Sequence, residues 1–464
     1  MERFFNASSI AVYGVASSKG NLAGYILENL REMGFKGDAY GIGSRANVVN
    51  GYPVYTSLRA VPDPVDLVTI VTPAQTVPAI FEECGRLGID RIVVITAGFN
   101  EVGGDGDGLT EEILRIAEEY NIKFIGPNCQ GLIDFHTGIC LPFGLMKQHQ
   151  IRKGKISIIS QSGSVGWITS LILSHQMDGL SKVISIGNKI SVDEITLTEY
   201  LMSDERTEVI LYYLESLTDG RRLCELAKKS EKPFIVLKAN RGNGSYLALS
   251  HTGALAGNDR VVGGAFEQAG IIRAQTFGDM LDWAKSFSGS PMKGPNVVAM
   301  ASSGGMALMC EDACRKAGLT LIDLPDEFKE RIYDIGKPKI INHTNPIDLG
   351  NIFNNEKVLI VLKMVLALDE TDGVVLSIFN LGRDIHGDLE TMDFIRLAHE
   401  EAARADKPLV FFWVTAPEDV FELRKQTLFP IFDSIEDAVE SLHKKLRYAR
   451  EISRVVKDPE STDI

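Results

Sequence analysis

Short runs of β-branched and other apolar residues alternate with amphipathic helical stretches from residue 8 to about residue 126. The runs that predict strands are IAVYGV, DLVTIVT, RIVVIT and IKFIG, and AGYILENLREM and EEILRIAEEY lie among the helical stretches between them. Apolar runs of this length, separated by helices, are typical of a parallel sheet covered on both faces. The pattern therefore predicts a Rossmann-like α/β domain over residues 1–130.

A second alternating block begins with KISIIS and continues through KVISIG, EVILYYLE and PFIVLK to the helical pattern GALAGNDRVVGGAFEQAG. The polar run SGSPMKG at residues 288–294 contains proline and glycine and predicts a linker. A third block carries the strand candidates NVVAMAS, GVVLSI and PLVFFWV and ends in a long amphipathic helix from about residue 434 to 454. We expect two further domains, over residues 150–288 and 295–464.

The second and third blocks open alike, with KISIISQSGSVGW in one and NVVAMASSGGMAL in the other. In each block a buried strand leads through Ser and Gly into a helix. This repeat predicts two similarly built, flavodoxin-like domains. The alternative is that the same strand-to-helix turn chemistry arose twice without a shared architecture.

Composition narrows the class of protein. The chain of 464 residues has 48 Lys and Arg against 62 Asp and Glu, a net charge of −14, which argues against a nucleic-acid or anionic-membrane partner. The longest apolar stretch, 358–368, is interrupted by Lys363 and is too short to span a bilayer. The six cysteines include no CxxC pair, which predicts reduced thiols and no metal site. We expect a cytoplasmic protein.

The first strand runs into the glycine-rich turn GVASSKGNLAG. Glycines let backbone amides approach a pyrophosphate, and the positive end of the helix beginning near Asn21 would face it. The candidate contacts of a nucleotide-like ligand are Gly14, Ser17, Ser18, Lys19, Gly20 and Asn21. The alternative is a tight strand-to-helix connection that binds no ligand.

The end of the second strand, AYGIGSR, places Ser44 and Arg45 where a site for NAD would have Asp or Glu against the ribose hydroxyls. A cation at this position suits a ribose that carries a phosphate. Coenzyme A has a 3′-phosphate, and NADP has one in a similar position.

Further strand ends would border the same crevice. They contribute Thr72 and Pro73, Thr96 and Ala97, and, from the motif GPNCQG, Asn128 and Cys129. Cys129 would lie beside the thiol end of a ligand. A buried structural cysteine is the alternative.

The octapeptide SHTGALAG places His251 between a glycine-bearing loop and the first turn of a predicted helix. A neutral imidazole has a free nitrogen lone pair, which can accept a phosphoryl group and pass it on. The loop before it contains Gly242 and Gly244, which would let His251 move between two positions. An ordinary exposed or hydrogen-bonded histidine is the alternative.

Several spaced motifs follow one another along nearly the whole chain: VTPAQTVPAIFEECGRLGIDRIVVITAGF, GPNCQG, SQSGSVG and SHTGALAG. In this order they resemble the α subunit of the succinyl-CoA synthetase superfamily, in its ADP-forming acyl-CoA (acetyl-CoA) synthetase branch. The resemblance implies a CoA-binding domain and two ligase-type domains. It also implies a reversible reaction in which acyl-CoA, phosphate and ADP yield the free acid, CoA and ATP.

The resemblance assigns roles to residues of the second block. His251 matches the phosphorylated histidine of the family, and Ser162, Gly163 and Ser164 match the start of the helix that holds the phosphoryl group. Free backbone amides and the helix dipole stabilise an anion at such a position. Glu215 resembles the carboxylate that orients the histidine, and an exposed glutamate at a strand end is the alternative.

The third block would supply a second helix N-terminus to the same phosphate, through Ser303, Gly304 and Gly305. Here the sequence SSGG departs from the Asn-Gly-Gly-Gly pattern of the family, which leaves the roles of Ser302 and Ser303 open.

The sequence contains no GxxxxGK[ST] motif, and its blocks leave no room for the ATP-grasp module of the family. We therefore expect ADP or ATP, with Mg, to bind a separate ATP-grasp β subunit in an α2β2 assembly. Two other functions stay open. A non-catalytic CoA-binding regulatory protein would share the fold, and an NADP-dependent oxidoreductase would fit the Rossmann-like start and Arg45 but leaves the His251 loop unexplained.

Overall fold

The computed structural model of the chain describes residues 1–45, 47–146, 152–176, 179–241, 258–287, 289–336, 344–350, 352, 354–379, 389–415 and 431–457. The chain divides into two compact units. One comprises Met1–Ser174 and Gly179–Ala274, and the other consists chiefly of Gln275–Ile464.

The first unit begins with a mostly parallel sheet. Its described strands are β1 (Ser9–Tyr13), β2 (Asp38–Ile42), β3 (Asn47–Val49), β4 (Tyr52–Tyr55), β5 (Leu67–Ile70), β6 (Arg91–Val94) and β7 (Lys123–Ile125), in the order β3-β4-β2-β1-β5-β6-β7. The helices are α1 (Leu22–Glu32), α2 (Val77–Arg86) and α3 (Asp105–Glu119). Strands β1 and β5 are buried at every residue, which explains their unbroken apolar runs. The strand order reverses at β1, and this confirms the Rossmann-like prediction.

A second sheet follows in the same unit. Its described strands are β8 (Leu132–Asp134), β9 (Ile139–Cys140), β10 (Lys153–Ser160), β11 (Leu180–Ser185), β12 (Val209–Leu214), β13 (Phe234–Lys238) and β14 (Ile272–Ala274), in the order β14-β13-β12-β10-β11-β8-β9. The helices are α4 (Gly163–Gln176), α5 (Glu194–Ser203), α6 (Gly220–Lys229) and α7 (Asp259–Gln268). The parallel part, β11-β10-β12-β13-β14, has flavodoxin-like order.

The first two sheets share a hydrophobic core, so they form one compact body. Phe5, near the N-terminus, stacks on Tyr200 of α5 with ring centroids 4.8 Å apart. Buried side chains from the first sheet, such as Val12, belong to the same cluster as Ile159 and Ile184 of the second.

The second unit contains a third parallel sheet. Its described strands are β15 (Asn296–Ala301), β16 (Thr320–Leu321), β17 (Ile347–Asp348), β18 (Gly373–Phe379), β19 (Leu409–Val414) and β20 (Ile431–Phe432). The helices are α8 (Phe277–Phe287), α9 (Gly304–Lys316), α10 (Asp326–Gly336), α11 (Asn355–Leu366), α12 (Thr391–Arg404) and α13 (Ile435–Lys457). The order β16-β15-β18-β19-β20 repeats that of the second sheet, which confirms two flavodoxin-like domains.

Two elements differ in extent from the sequence-based expectation. Helix α8 precedes the expected linker at 288–294 yet packs within the second unit, where Lys444 of α13 lies over the Trp283 ring at 5.2 Å and Phe287 meets Tyr448 at 5.5 Å between centroids. The linker run therefore follows the first helix of that unit. Helix α7 begins at Asp259, and the start of the pattern predicted for it, 253–257, lies outside the described residues. None of the described helices is long and apolar enough to cross a bilayer.

Candidate active site

A polar cavity of about 230 Å³ lies in the first unit, between the carboxyl ends of strands from its two sheets. Every lining residue is polar or glycine: Asn100, Glu101, Asn128, Gln161, Ser162, Gly163, Gly187, Asn188, Lys189, Glu215 and Ser216. Each follows the end of a strand, because parallel strands present their carboxyl ends, and the loops after them, at one edge of a sheet. Such an edge is the usual ligand-binding position of an open α/β sheet.

The N-terminus of α4 forms one wall of this cavity. Ser162 directly precedes the helix, and its Oγ lies 3.1 Å from Ser164 Oγ and accepts a 3.4 Å hydrogen bond from Val165 N. The first amides of an α-helix have no acceptor within the helix, so they are available to an anion. The structure thus places Ser162 and Gly163 on the cavity, with Ser164 exposed in the next position.

Glu215 lines the same cavity from the end of β12. Its backbone N–H donates to Gln161 Oε1 at 2.9 Å, and its carbonyl accepts from Lys238 Nζ at 2.9 Å. The structure therefore brings together Glu215 and Ser162, which the sequence had separated by about fifty residues. Their shared cavity favours the functional interpretation of Glu215 over that of an ordinary strand-end glutamate.

A buried ion pair at the cavity, formed by the lining residue Lys189 and by Glu194, was not predicted. Lys189 Nζ lies 3.0 Å from Glu194 Oε2, with 8% and 0% of the two side chains exposed. Glu194 also accepts hydrogen bonds from the backbone N–H and hydroxyl of Thr218. Lys189 has φ of 49°. The signal for this pair was the polar run GNKISVDE after β11, but nothing in that run reveals which carboxylate faces which cation.

Asparagine side chains line the opposite wall. Asn128 Nδ2 donates to Asn188 Oδ1 at 3.2 Å, and Asn188 Nδ2 donates to Asn100 Oδ1 at 2.7 Å and to Glu101. Glu101 in turn accepts from the backbone N–H groups of residues 98 and 99. Of this group, only Asn128 was predicted as a site residue.

The glycine-rich turn after β1 lies at the switch point of the first sheet. Gly14 has φ of 97°, and a Cβ there would collide with Val71 O, so glycine is required. Asn21 caps α1 through a 2.7 Å bond from Gly24 N. Its amide also donates to Gly14 O at 3.0 Å. Between these residues, Ser17, Ser18, Lys19 and Gly20 are exposed.

Arg45 is also exposed, between β2 and β3. The side chain of Asn47, two residues further on, donates to Ser17 Oγ, which links the start of β3 to the glycine-rich turn. The chain just after β2 and the turn are thus linked, and contact of Arg45 with a ligand stays a prediction.

The remaining first-domain candidates lie at the ends of β5 and β6. Thr96 Oγ1 donates to Thr72 O at 2.7 Å, which joins the two strand ends. Pro73 and Ala97 are exposed beside them.

Cys129 is only 4% exposed. Its Sγ accepts from Gly131 N and donates to Val94 O, both at 3.3 Å. Burial raises the pKa of the Cys129 thiol to about 12, so the group is neutral at physiological pH. These contacts favour the structural interpretation of this cysteine.

His251 lies outside the described residues, in the segment 242–257. The described chain reaches Arg241, which follows β13, and resumes at Asn258, which caps α7. Strand β13 ends at Lys238, whose ammonium contacts the carbonyl of Glu215. The described residue Lys238 thus contacts Glu215 four residues before the segment 242–257 begins.

In the second unit, Ser302 and Ser303 have different roles. Ser303 Oγ accepts from Met306 N at 3.4 Å and caps α9. Ser302 Oγ donates to Ser377 O at 3.2 Å and accepts from Phe379 N at 3.0 Å, so its hydroxyl joins β15 to β18. Gly304 and Gly305 are exposed at the start of the helix.

Comparisons with known proteins identify the family. The family described as "CoA binding domain" matches residues 8–134, and "Succinyl-CoA ligase like flavodoxin domain" matches residues 153–287. The alpha subunit of acetate–CoA ligase [ADP-forming] I from Pyrococcus furiosus is 32% identical over 97% of this chain and 98% of that one. The chain belongs to the family of ADP-forming acetate–CoA ligase alpha subunits.

A solved structure agrees with this family. The acetyl-coenzyme A synthetase 1 of Candidatus Korarchaeum cryptofilum, in complex with phosphate and ADP, matches with a TM-score of 0.89 at 29% identity over 100% of this chain and 99% of that one. Acetate–CoA ligase [ADP-forming] I of Archaeoglobus fulgidus is 35% identical over 86% of this chain but only 56% of its own length. That relative is a longer polypeptide. The matches to a CoA-binding domain support CoA, and not NADP, as the ligand of the first sheet.

Proposed function

We propose that this chain is the catalytic α subunit of an NDP-forming acyl-CoA synthetase that converts acetyl-CoA, phosphate and ADP into acetate, CoA and ATP. Given the family of the chain, one structural observation supports this proposal. The helix start at Ser162 and the carboxylate-bearing residue Glu215 line one polar cavity, between a CoA-binding sheet and a ligase-type sheet. A cavity lined only by polar residues and glycine suits phosphate and a small acyl phosphate.

The proposed reaction has three steps. An oxygen of hydrogen phosphate attacks the thioester carbonyl, the C–S bond breaks, and the phosphate proton passes to the leaving thiolate, which gives acetyl phosphate and CoA. A nitrogen of His251 then attacks phosphorus, and the P–O bond to acetate breaks, which leaves phosphohistidine and acetate. Finally, the β-phosphate oxygen of ADP takes the phosphoryl group, and the neutral imidazole is restored. Mg²⁺ would accompany the nucleotide and neutralise its charge.

In this scheme the amides at Ser162, Gly163 and Ser164 hold the phosphoryl group, because a helix N-terminus stabilises an anion by about 0.3 to 1 kcal/mol. Glu215 accepts a hydrogen bond from one imidazole nitrogen, which fixes the tautomer and leaves the other nitrogen to attack. Ser303, Gly304 and Gly305 supply the second helix end.

CoA would bind the first sheet. Its pyrophosphate would lie over the turn from Gly14 to Asn21, and its 3′-phosphate near Arg45. Thr72, Pro73, Thr96, Ala97 and Asn128 would follow the pantetheine arm toward the cavity. The side-chain contacts that order the turn support this arrangement.

ADP would bind a separate ATP-grasp β subunit in an α2β2 complex. The description of the Pyrococcus furiosus relative as a subunit supports a partner chain, and so does the greater length of the Archaeoglobus fulgidus relative. The free cysteines of the chain support a cytoplasmic location, where thiols stay reduced.

Phosphorylation of His251 tests the proposal. The wild-type chain incubated with acetyl-CoA and radiolabelled phosphate should acquire an acid-labile, alkali-stable label, because phosphohistidine has this stability pattern. His251→Ala should take up none, and the control His443→Ala should label as the wild type does. Label that persists in His251→Ala would assign the phosphoryl carrier to another residue. A wild-type chain that binds CoA but takes up no label would instead support the CoA-binding regulatory protein.

A further inference from the structure

Side chains hold every backbone hydrogen-bonding group of the dipeptide Glu215–Ser216. Gln161 Oε1 accepts from both N–H groups, at 2.9 Å from Glu215 and 3.0 Å from Ser216. Lys238 Nζ donates to Glu215 O, and Lys189 Nζ donates to Ser216 O, each at 2.9 Å. A loop after a strand normally meets part of this need with water, since loops run over the surface. Here the backbone that carries the cavity carboxylate is fixed on both sides.

Holding the dipeptide in this way costs free energy. Lys238 is only 6% exposed, and its described hydrogen bonds go to two carbonyls, those of Glu215 and of Ala239 at 2.6 Å. Burying an ammonium group costs free energy that neutral carbonyls repay only in part. Consistent with this, burial lowers the pKa of Lys238. A buried apolar side chain would stabilise the strand end without this cost.

The same contacts connect the parts of the proposed site. Gln161 immediately precedes Ser162, so its bonds set Glu215 relative to the start of α4. Lys238 joins Glu215 to Ala239, which directly follows β13 and lies three residues before the segment 242–257 in sequence. Lys189 joins Ser216 to the buried Glu194 at the start of α5.

We propose that Gln161 and Lys238 are positioning residues for phosphoryl transfer, which set the backbone that carries the Glu215 carboxylate relative to the α4 helix end and to the end of β13. This inference rests on the proposed function. Neither residue needs to touch the substrate. Their contribution is geometric, and a displacement of about 1 Å at a reacting group can cost about a hundredfold in rate.

Strand β13 offers a matched control. Lys232, just before its amino end, donates through Nζ to two backbone carbonyls, of Leu201 at 2.8 Å and Asp204 at 2.7 Å. Burial lowers its pKa as well. Lys232→Met and Lys238→Met therefore remove the same chemistry from opposite ends of one strand, and only Lys238 contacts the Glu215 segment.

The test is the single-turnover rate of His251 labelling from acetyl-CoA and radiolabelled phosphate, with CoA affinity and thermal unfolding measured in parallel. Lys238→Met should slow labelling by about tenfold or more, with CoA affinity changed by less than about twofold. Lys238→Arg should recover most of the rate, and Lys232→Met should label at the wild-type rate. Gln161→Leu, which leaves two backbone N–H groups without their acceptor, should slow labelling as Lys238→Met does.

The outcomes separate the two proposals. If the wild-type chain takes up no label, the proposed function fails. If the wild type is labelled and Lys238→Met is labelled as fast as Lys232→Met, the positioning role of Lys238 is wrong and the proposed function stands. If Lys238→Met does not fold, the labelling rates of two Gln161 variants test the inference. Gln161→Leu removes the acceptor oxygen, and Gln161→Glu keeps one. Equal labelling rates for these two variants would overturn the inference.

Discussion

Arg45 and Cys129 were both candidates for ligand contact, and the structure places them in opposite environments. Cys129 is 4% exposed, and its sulfur is hydrogen-bonded within the first sheet, so it contributes to packing. Arg45 is exposed beside the glycine-rich turn. In a chain of net charge −14, a polyanion such as CoA needs cations of this kind placed locally.

Arg45→Ala should weaken CoA binding by about fivefold, the loss expected for one exposed charge pair. The same substitution should have little effect on 3′-dephospho-CoA, since that ligand lacks the phosphate. Isothermal titration of both ligands at physiological ionic strength measures the difference. Arg59→Ala, which removes an exposed arginine from the same domain, is the matched control. Equal affinity of the wild type for CoA and 3′-dephospho-CoA would contradict the assignment of Arg45.

At the scale of elements, the sequence predicted strands and helix starts well because local chemistry determines them. Strands β1 and β12 follow from buried β-branched and aromatic runs, and α1 and α9 begin at Asn21 and Ser303, residue types that cap helices. The prediction also placed Ser162 and Glu215 at strand ends, where parallel topology brings them together.

The side chains that hold the cavity loops in place, such as Lys189 and Lys238, could not be predicted from local chemistry in this way. Lys189, which has φ of 49°, pairs with Glu194 at the start of α5. Lys238 reaches Glu215 because β13 lies beside β12 in the sheet, although the two residues are far apart in sequence. These contacts depend on register and on backbone conformation, which residue types alone do not specify.

The two flavodoxin-like domains use their corresponding helix starts differently. In the first unit, α4 begins at a cavity that also contains Lys189 and Gln161. In the second, a Cβ at Gly304 would lie 3.2 Å from Asp348 Oδ2, so a carboxylate stands beside the start of α9. A carboxylate opposes an anion at that helix end. Carboxylates also line the α4 cavity, at Glu101 and Glu215, so acidic side chains lie near both of the helix ends proposed to bind phosphate.

The cap of α1 offers a prediction about an element rather than a ligand contact. Asn21 bonds Gly24 N and Ala16 N and donates to Gly14 O, so it shapes the whole glycine-rich turn. Asn21→Ala should lower the free energy of unfolding by about 1 kcal/mol and weaken CoA binding as well. Asp219→Ala removes the cap of α6 and should cause a similar loss of stability with unchanged CoA affinity. Denaturant unfolding and CoA titration of both variants check this, and unaltered CoA binding in Asn21→Ala would show that the turn does not hold CoA.

At the scale of the whole molecule, the proposed function assigns the first half of the reaction to this chain and the binding of ADP to a partner. The three α/β domains of the chain are accounted for by CoA binding and the two flavodoxin-like folds, and the sequence has no GxxxxGK[ST] motif. Under the proposed function, a phosphoryl group formed near the CoA thiol would then travel to a nucleotide on another chain. The sequence-based prediction that His251 moves between two positions would account for this transfer, and residues 242–257 lie outside the described part of the chain.

The purified chain should therefore become phosphorylated at His251 from acetyl-CoA and phosphate yet form no net ATP when ADP is added. Adding an ATP-grasp β subunit should restore ATP formation, because it supplies the missing acceptor site. Luciferase detection of ATP, run beside the radiolabel assay, measures both halves in one sample, and light scattering of the mixture tests for two copies of each chain. The His251→Ala chain mixed with the same subunit is the control and should form no ATP. If the wild-type chain alone forms ATP in proportion to its concentration, it contains its own nucleotide site and the two-subunit assignment is wrong.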